Sequence, residues 1–228
     1  MKVLLTNDDG IDAPGLALLR EVVAERAEPI VVAPDRHLSG CAHRVVTEED
    51  LVLDDRGDGR FALNGTPADC VRVGLLHVCS DAAWVLSGVN DGGNLGVDTF
   101  LSGTVAAARE AALFERPSIA FSQYRKGKGA KAWQPLADHL RRTLDLLLVE
   151  PPGVGAIWNV NFPAVDELHG ETRTVRCPLE PGHLPVRYEV AENRFRYRGV
   201  YADRPRRPGS DVDACFSGHI AVTRLRLF

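Results

Sequence analysis

The first 34 residues constrain the fold most, because they spell a strand, a helix and a second strand in immediate succession. Val3–Thr6 is a short apolar run with a polar turn behind it, as a buried parallel strand has. Pro14-Gly15 leads into Leu16–Ala27, where Leu16, Leu19, Val22 and Val23 recur at helical spacing. Pro29–Pro34 is a second buried strand closed by proline. Two such strands joined by a helix make a βαβ unit of a doubly wound, mostly parallel sheet. The rhythm continues. Thr66-Pro67 predicts an N-cap and a helix to about Leu76. Ala83–Leu86 predicts a strand, followed by a glycine-rich loop over Ser87–Asp98. Ser102-Gly103-Thr104 opens a helix over Val105–Phe114, and Ser118–Phe121 predicts the strand after it. Trp133–Val149 reads as an amphipathic helix and Ile157–Val160 as one more strand.

After about Pro163 helical periodicity disappears. Val186–Val190 and Phe195–Tyr201 predict a long hairpin, and His219–Leu227 alternates like a final strand. Arg125–Lys131 reads as a mobile loop. The expected division is a single α/β domain over residues 1–228 with a C-terminal β-hairpin extension, an arm at about 180–215.

Composition narrows the function classes. A net charge of −4 argues against a stable nucleic-acid complex, while leaving small phosphorylated substrates open through a locally positive site. Five scattered cysteines (Cys41, Cys70, Cys79, Cys177, Cys215) contain no C-x-x-C pair, which fits reduced thiols better than disulfides or a zinc knuckle. No signal peptide or membrane-spanning window is visible, so a soluble, cytoplasmic protein without a membrane partner is expected.

The chemistry gathers on four loops that should share the carboxyl edge of the sheet, where ligands bind in such folds. The first, Asn7–Asp12, carries the adjacent carboxylates Asp8 and Asp9. Neighbouring carboxylates repel, so a cation beside them is one reading; Asn-Asp-Asp-Gly is also good turn chemistry, which is the other. The second is Asp35–Gly40, with His37 and Ser39, and the third is Ser87–Gly96, with Asn90 and Asn94. The fourth is the helix start at Ser102, Gly103 and Thr104, where a cap and exposed amides favour an anion. The third loop is neither a P-loop nor a dinucleotide fingerprint, and no G-x-S-x-G elbow occurs anywhere. The D-x-D-x-T/V pattern of haloacid-dehalogenase phosphatases is also absent. The arginine-rich stretch Arg194–Arg207 could grip phosphate, but a solvated hairpin face is the simpler reading.

These segments resemble the SurE family (stationary-phase survival protein E), metal-dependent 5′/3′-nucleotidases. The matching runs are L-L-T-N-D-D-G-I-D-A-P-G-L at Leu4–Leu16, A-P-D-R-x-x-S-G at Ala33–Gly40 and G-T-P-A-D-C-V at Gly65–Val71. Further on come S-G-V-N-x-G-x-N-L-G at Ser87–Gly96, S-G-T-V-A-A-A at Ser102–Ala108 and N-V-N-F-P at Asn159–Pro163. The resemblance implies a Rossmann-like sheet and one divalent cation, Mg²⁺ or Mn²⁺, held by Asp8, Asp9, Ser39 and Asn90. It implies a phosphate pocket lined by Asn94, Ser102, Gly103 and Thr104, and Asp8 or Asp9 as the catalytic group. The expected reaction is hydrolysis of 5′-nucleotides, with 3′-nucleotides and short polyphosphate as extensions. The expected assembly is a homodimer or homotetramer through an exchanged hairpin. Leu101 before the S-G-T run, and Cys41-Ala42-His43-Arg44 after the second loop, depart from the family pattern. They motivate an alternative: a nucleotide- or metal-binding protein of the same fold that has lost catalysis.

Overall fold

The structure, a computed structural model, describes residues 1–126 and 132–228. Most of the expected Arg125–Lys131 loop therefore lies outside the described residues. In chain order the elements are β1 (Lys2–Thr6), α1 (Pro14–Ala24), β2 (Glu28–Pro34), β3 (Leu53–Asp55), β4 (Arg60–Leu63) and α2 (Pro67–Val73). Then follow β5 (Trp84–Asp91), α3 (Gly103–Leu113), β6 (Ser118–Gln123), α4 (Ala137–Leu148), β7 (Ala156–Phe162) and β8 (Thr174–Arg176). The chain ends with β9 (Tyr188–Ala191), β10 (Arg194–Tyr197), α5 (Asp211–Phe216) and β11 (Ile220–Arg226).

The main sheet runs in the order β3-β4-β2-β1-β5-β6-β7-β11-β8. Its centre, from β4 to β7, is parallel; β3 and β11 run antiparallel to their inner neighbours. Alternation along β1 shows why helices must cover both faces. Val3 and Leu5 pack into the cluster with Leu16, Leu19, Val22, Leu140 and Leu144 of α1 and α4. Leu4 points the other way, toward Cys70 and Val71 of α2 and Ala107 and Ala111 of α3. A strand buried on both faces reads as a continuous apolar run, and this one does. The alanines of α3 let that helix lie close against β6 and β7, where Val105, Ala108 and Ala112 meet Ala120 and Ile157.

The α/β expectation holds, with corrections. Ser87–Asp91 is not loop but the second half of β5. One extra residue between Ser87 and Asn90 shifts the register against β6, so the strand loses the alternation that would have marked it. Gly88 takes φ +130°, and a Cβ there would overlap the Phe121 carbonyl of β6. The first helix spans Pro14–Ala24 rather than Leu16–Ala27. The second ends as α-helix at Val73 and closes in a wider π turn, Gly74–Val78. The fourth starts at Ala137, after a short 3₁₀ turn at Gln134–Leu136, and not at Trp133. Beyond Pro163 the chain does form a helix, α5; at six residues it is too short for periodicity to reveal. The hairpin strands are shorter than expected, at Tyr188–Ala191 and Arg194–Tyr197, and they form a separate two-stranded sheet. No helix among the described residues is long and apolar enough to cross a membrane.

Candidate functional site at the carboxyl edge of the sheet

β1 ends in a turn that the Asn7 side chain builds. Its amide donates to the Gly10 carbonyl at 2.9 Å, and the Gly10 N–H donates back to Asn7 Oδ1 at 3.2 Å. This Asx-type arrangement fixes Asp8 and Asp9 at the end of a strand flanked by β2 and β5. Three further segments close on the pair. The Leu38 N–H donates to the Asp8 carbonyl at 2.7 Å, bringing in the loop after β2. The Asp91 N–H donates to Asp9 Oδ2 at 3.0 Å, bringing in the end of β5. The Thr104 hydroxyl, at the start of α3, donates to Asp8 Oδ1. Gly103 lies so close that a Cβ on it would sit 2.8 Å from Asp8 Cβ and 2.7 Å from Cys41 Sγ.

The electrostatics are unbalanced. Asp8 is 3% exposed, and burial raises its carboxyl above the ordinary range against the Thr104 bond that favours the anion. Burial also raises Asp9, whose side chain is 10% exposed; the Asp91 N–H opposes the shift and the Asp8 charge adds to it. The cationic candidate nearest the pair is His37, with Nδ1 3.4 Å from Asp9 Oδ1. Among the described residues no arginine or lysine ion-pairs with either aspartate. Burying a carboxylate without an arginine or lysine partner is costly, so this pair detracts from stability where it stands.

The other expected residues divide into those joined to the pair and those held nearby. Gly103 and Thr104 touch Asp8. Ser102 lies beside them and caps α3 by accepting from the Val105 N–H at 3.0 Å. Ser39 is exposed and follows directly on Leu38. The Asn90 amide donates to the Gly92 carbonyl at 2.8 Å, one residue from the Asp91–Asp9 bond. Asn94 turns its amide to the Ser122 hydroxyl at 2.8 Å. No hydrogen bond among the described residues joins Ser39 or Asn90 to Asp8 or Asp9. No cluster of three or more His, Cys, Asp or Glu side chains forms a metal site among the described residues. A cation here would need neutral oxygens to complete its shell, and the hydroxyl and carboxamide of Ser39 and Asn90 are of that kind.

Sequence reasoning missed two groups that shape the site. Glu110 of α3, 2% exposed, accepts from Arg72 Nε at 2.6 Å and lies 2.7 Å from His43 Nε2. With Thr66 donating to the Arg44 carbonyl and Asp69 accepting from the Val46 N–H, it pins the segment after Ser39. The second group sits around Asp98. Arg204 was expected on a solvated hairpin face, yet its side chain is 1% exposed and bonded to Asp98 at 2.6 Å. Neighbouring Arg206 and Arg207 are exposed, so composition gave no way to single out Arg204.

Known proteins resemble this chain throughout its length. Residues 3–178 match the family described as Survival protein SurE. A Nostoc sp. protein is 45% identical over 227 residues, covering all of both chains. The 5′-nucleotidase SurE of Neisseria gonorrhoeae is 37% identical over 232 residues, covering all of this chain and 93% of that one. The crystal structure of the SurE protein from Aquifex aeolicus superposes with a TM-score of 0.85 at 31% identity, over all of this chain and 94% of that chain.

Proposed function

The chain belongs to the SurE family, and from that premise we propose that it is a 5′-nucleotidase whose phosphate chemistry depends on a divalent cation at Asp8 and Asp9. The observation that carries the reading is the buried, uncompensated aspartate pair with the start of α3 packed directly onto it. Relatives named 5′-nucleotidase support the substrate class. The donor set suits a hard cation: two carboxylates, with Ser39 and Asn90 supplying neutral oxygens. Bound there, Mg²⁺ or Mn²⁺ would polarise a phosphoryl oxygen and lower the pKa of a water.

The chain's own residues have separate tasks in this scheme. The Thr104 hydroxyl donates to Asp8 Oδ1 and so holds the side chain of Asp8 in one orientation. Asp9, less deeply buried and close to His37, is the better placed of the two to exchange a proton with solvent. Gly103 lacks a Cβ, which lets the start of α3 pack directly against Asp8 and Cys41, so the first amides of the helix, where phosphate is favoured, lie beside the aspartate pair. Ser102 and Asn94 hold that turn in place through their bonds to Val105 and Ser122.

The hairpin fits a dimeric or larger assembly. Tyr188, Val190, Phe195 and Tyr197 are all exposed on β9 and β10, an apolar surface that a second copy would cover.

The test is phosphate release from 5′-AMP and 5′-GMP, 3′-AMP and tripolyphosphate, each with Mn²⁺, Mg²⁺ or chelator. Metal-dependent release from the 5′-nucleotides, lost in Asp8→Asn and Asp9→Asn, is the expected result. Nucleotide binding without release would favour the alternative of a binding protein that has lost catalysis.

A further inference from the structure

Between the end of β5 and the cap of α3 runs the segment Gly93–Leu101, and its shape is imposed by residues more than a hundred positions later. Asp98 is its hub. The Asp98 carbonyl accepts from the Leu101 and Ser102 N–H groups, at 2.9 and 3.0 Å, which places the cap residue of α3. The Asp98 carboxylate accepts from the Leu95 N–H at 3.2 Å, from the Tyr201 hydroxyl at 2.7 Å and from Arg204 Nη1 at 2.6 Å. Arg204 Nη2 reaches the Leu95 carbonyl at 2.8 Å, and the Tyr201 hydroxyl also faces the Gly93 carbonyl at 3.2 Å. Asp211 completes the clamp: its two oxygens accept from the Gly96 and Glu180 N–H groups, both at 2.7 Å.

Glu180 precedes the hairpin β9–β10, while Tyr201, Arg204 and Asp211 follow it. Both stems of the arm therefore close on one short segment, at Gly96 and Asp98. Gly96 is packed so tightly that a Cβ would lie 2.7 Å from the Glu180 carbonyl. The bonding is more elaborate than holding a surface turn requires. A guanidinium that bridges the Asp98 carboxylate and the Leu95 carbonyl through its two terminal nitrogens sets position and angle together, which a point charge could not.

We propose that Arg204 and Asp98 are positioning residues for phosphate, through which the base of the hairpin arm sets the turn that delivers Ser102, Gly103 and Thr104. The arm and the candidate site are then one mechanical unit, and displacement of the arm loosens phosphate directly while reaching Asp8 only through Gly103 and Thr104. This rests on the phosphate-handling role proposed above for the start of α3.

The experiment compares full-length Arg204→Gln, Arg204→Lys and Tyr201→Phe with wild type, and with Arg198→Ala as a control on the exposed hairpin pair with Glu189. Four readouts are taken well below each melting temperature. They are kcat and KM for 5′-AMP, the inhibition constant of inorganic phosphate, the Mn²⁺ dissociation constant by calorimetry, and hydrogen exchange of the Gly93–Ser102 peptide. For Arg204→Gln we expect phosphate affinity to fall about 10-fold and kcat/KM by about 10- to 100-fold, since displacement by about 1 Å is enough for such losses. Manganese affinity should fall by less than phosphate affinity does, and exchange should rise over Gly93–Ser102 but not over β1. Lysine should restore part of the loss, and Arg198→Ala should change nothing. A folded Arg204→Gln protein with unchanged phosphate affinity and unchanged exchange would overturn the proposal, even with a lower melting temperature. If Arg204→Gln does not fold, Tyr201→Phe decides by the same readouts, with about 3-fold weaker phosphate expected from one lost hydrogen bond. If wild type releases no phosphate, the nucleotidase reading fails, whereas phosphate affinity, measured directly by calorimetry, and hydrogen exchange still decide this one.

Discussion

Two acidic groups stand at the same edge of the sheet and are treated in opposite ways. Around Asp98 and Asp211 every carboxylate is answered: Arg204 is buried beside Asp98, and backbone N–H groups close on Asp211 from three sides. Around Asp8 and Asp9 burial is comparable, yet the answering groups are a hydroxyl, backbone N–H groups and a histidine at 3.4 Å, with no arginine or lysine among the described residues. The same chain that places a buried arginine on one aspartate leaves an adjacent pair without one. On the reading proposed above, charge balance inside this protein separates what holds the molecule together from what is kept available for a ligand.

That contrast can be broken most decisively at Asp8. Asp8→Asn should lower phosphate release by at least about 1,000-fold, since in the proposed scheme both the cation and the activated water depend on it. The same substitution should leave metal-free stability unchanged or raise it by about 1 kcal/mol, because it removes a buried charge that no base compensates. Denaturant titration in chelator reads this directly. Asp98→Asn should do the reverse to stability. It leaves Arg204 buried with half its partner lost, and a destabilisation of about 3 kcal/mol is expected in the same titration. If both variants lose stability equally, the distinction between the two groups is void.

Glu110 sharpens the comparison from a third position. Burial alone would push its carboxyl up, but the bonds and charges of His43 and Arg72 outweigh burial and hold it below its ordinary value of 4.5. A depressed acid contributes stability that is present above 4.5 and is lost as pH falls through the lower folded value. Below pH 4.5, wild type should therefore lose stability more steeply than Glu110→Gln, whose own cost at neutral pH should be about 2 kcal/mol. Parallel acid limbs for the two proteins would contradict the pairing. The smallest effect expected on the site itself comes from shortening the hairpin between Val186 and Val200. Light scattering should then report loss of the dimer or larger assembly, with Mn²⁺ affinity unchanged. A full-length protein that runs as a monomer would remove the arm's proposed role in assembly.

The sequence revealed the parts of the fold that repeat a period, and hid those that break one. β1 and β2 are apolar runs and α3 is alanine-rich, so their positions could be read directly, while β7 was read only over Ile157–Val160 of a strand that Asn159 and Asn161 punctuate. β5 was read only as far as Leu86 because the bulge at Gly88-Val89 reverses the facing of every residue after it. β3 and β8 have three residues each and offer no pattern. At the site, Asp8 and Asp9 were visible because adjacent carboxylates at a strand end are chemically unusual. Thr104 was visible through the helix start. Arg204 was not, since its role depends on a fold that returns residue 204 to residue 98, and nothing local distinguishes it from Arg206 or Arg207. Ser39 and Asn90 remain family expectations, brought close by Leu38 and Asp91 but bonded elsewhere or exposed.

The central claim is that Asp8 and Asp9 are left uncompensated in order to hold a cation, and calorimetric titration of metal-free protein with Mn²⁺ tests it most directly. One site per chain is expected, weakened at least about 100-fold in Asp8→Asn, the scale on which losing a carboxylate partner acts, and retained in Asp98→Asn. Absence of binding in wild type, or binding equally strong in Asp8→Asn, would contradict it.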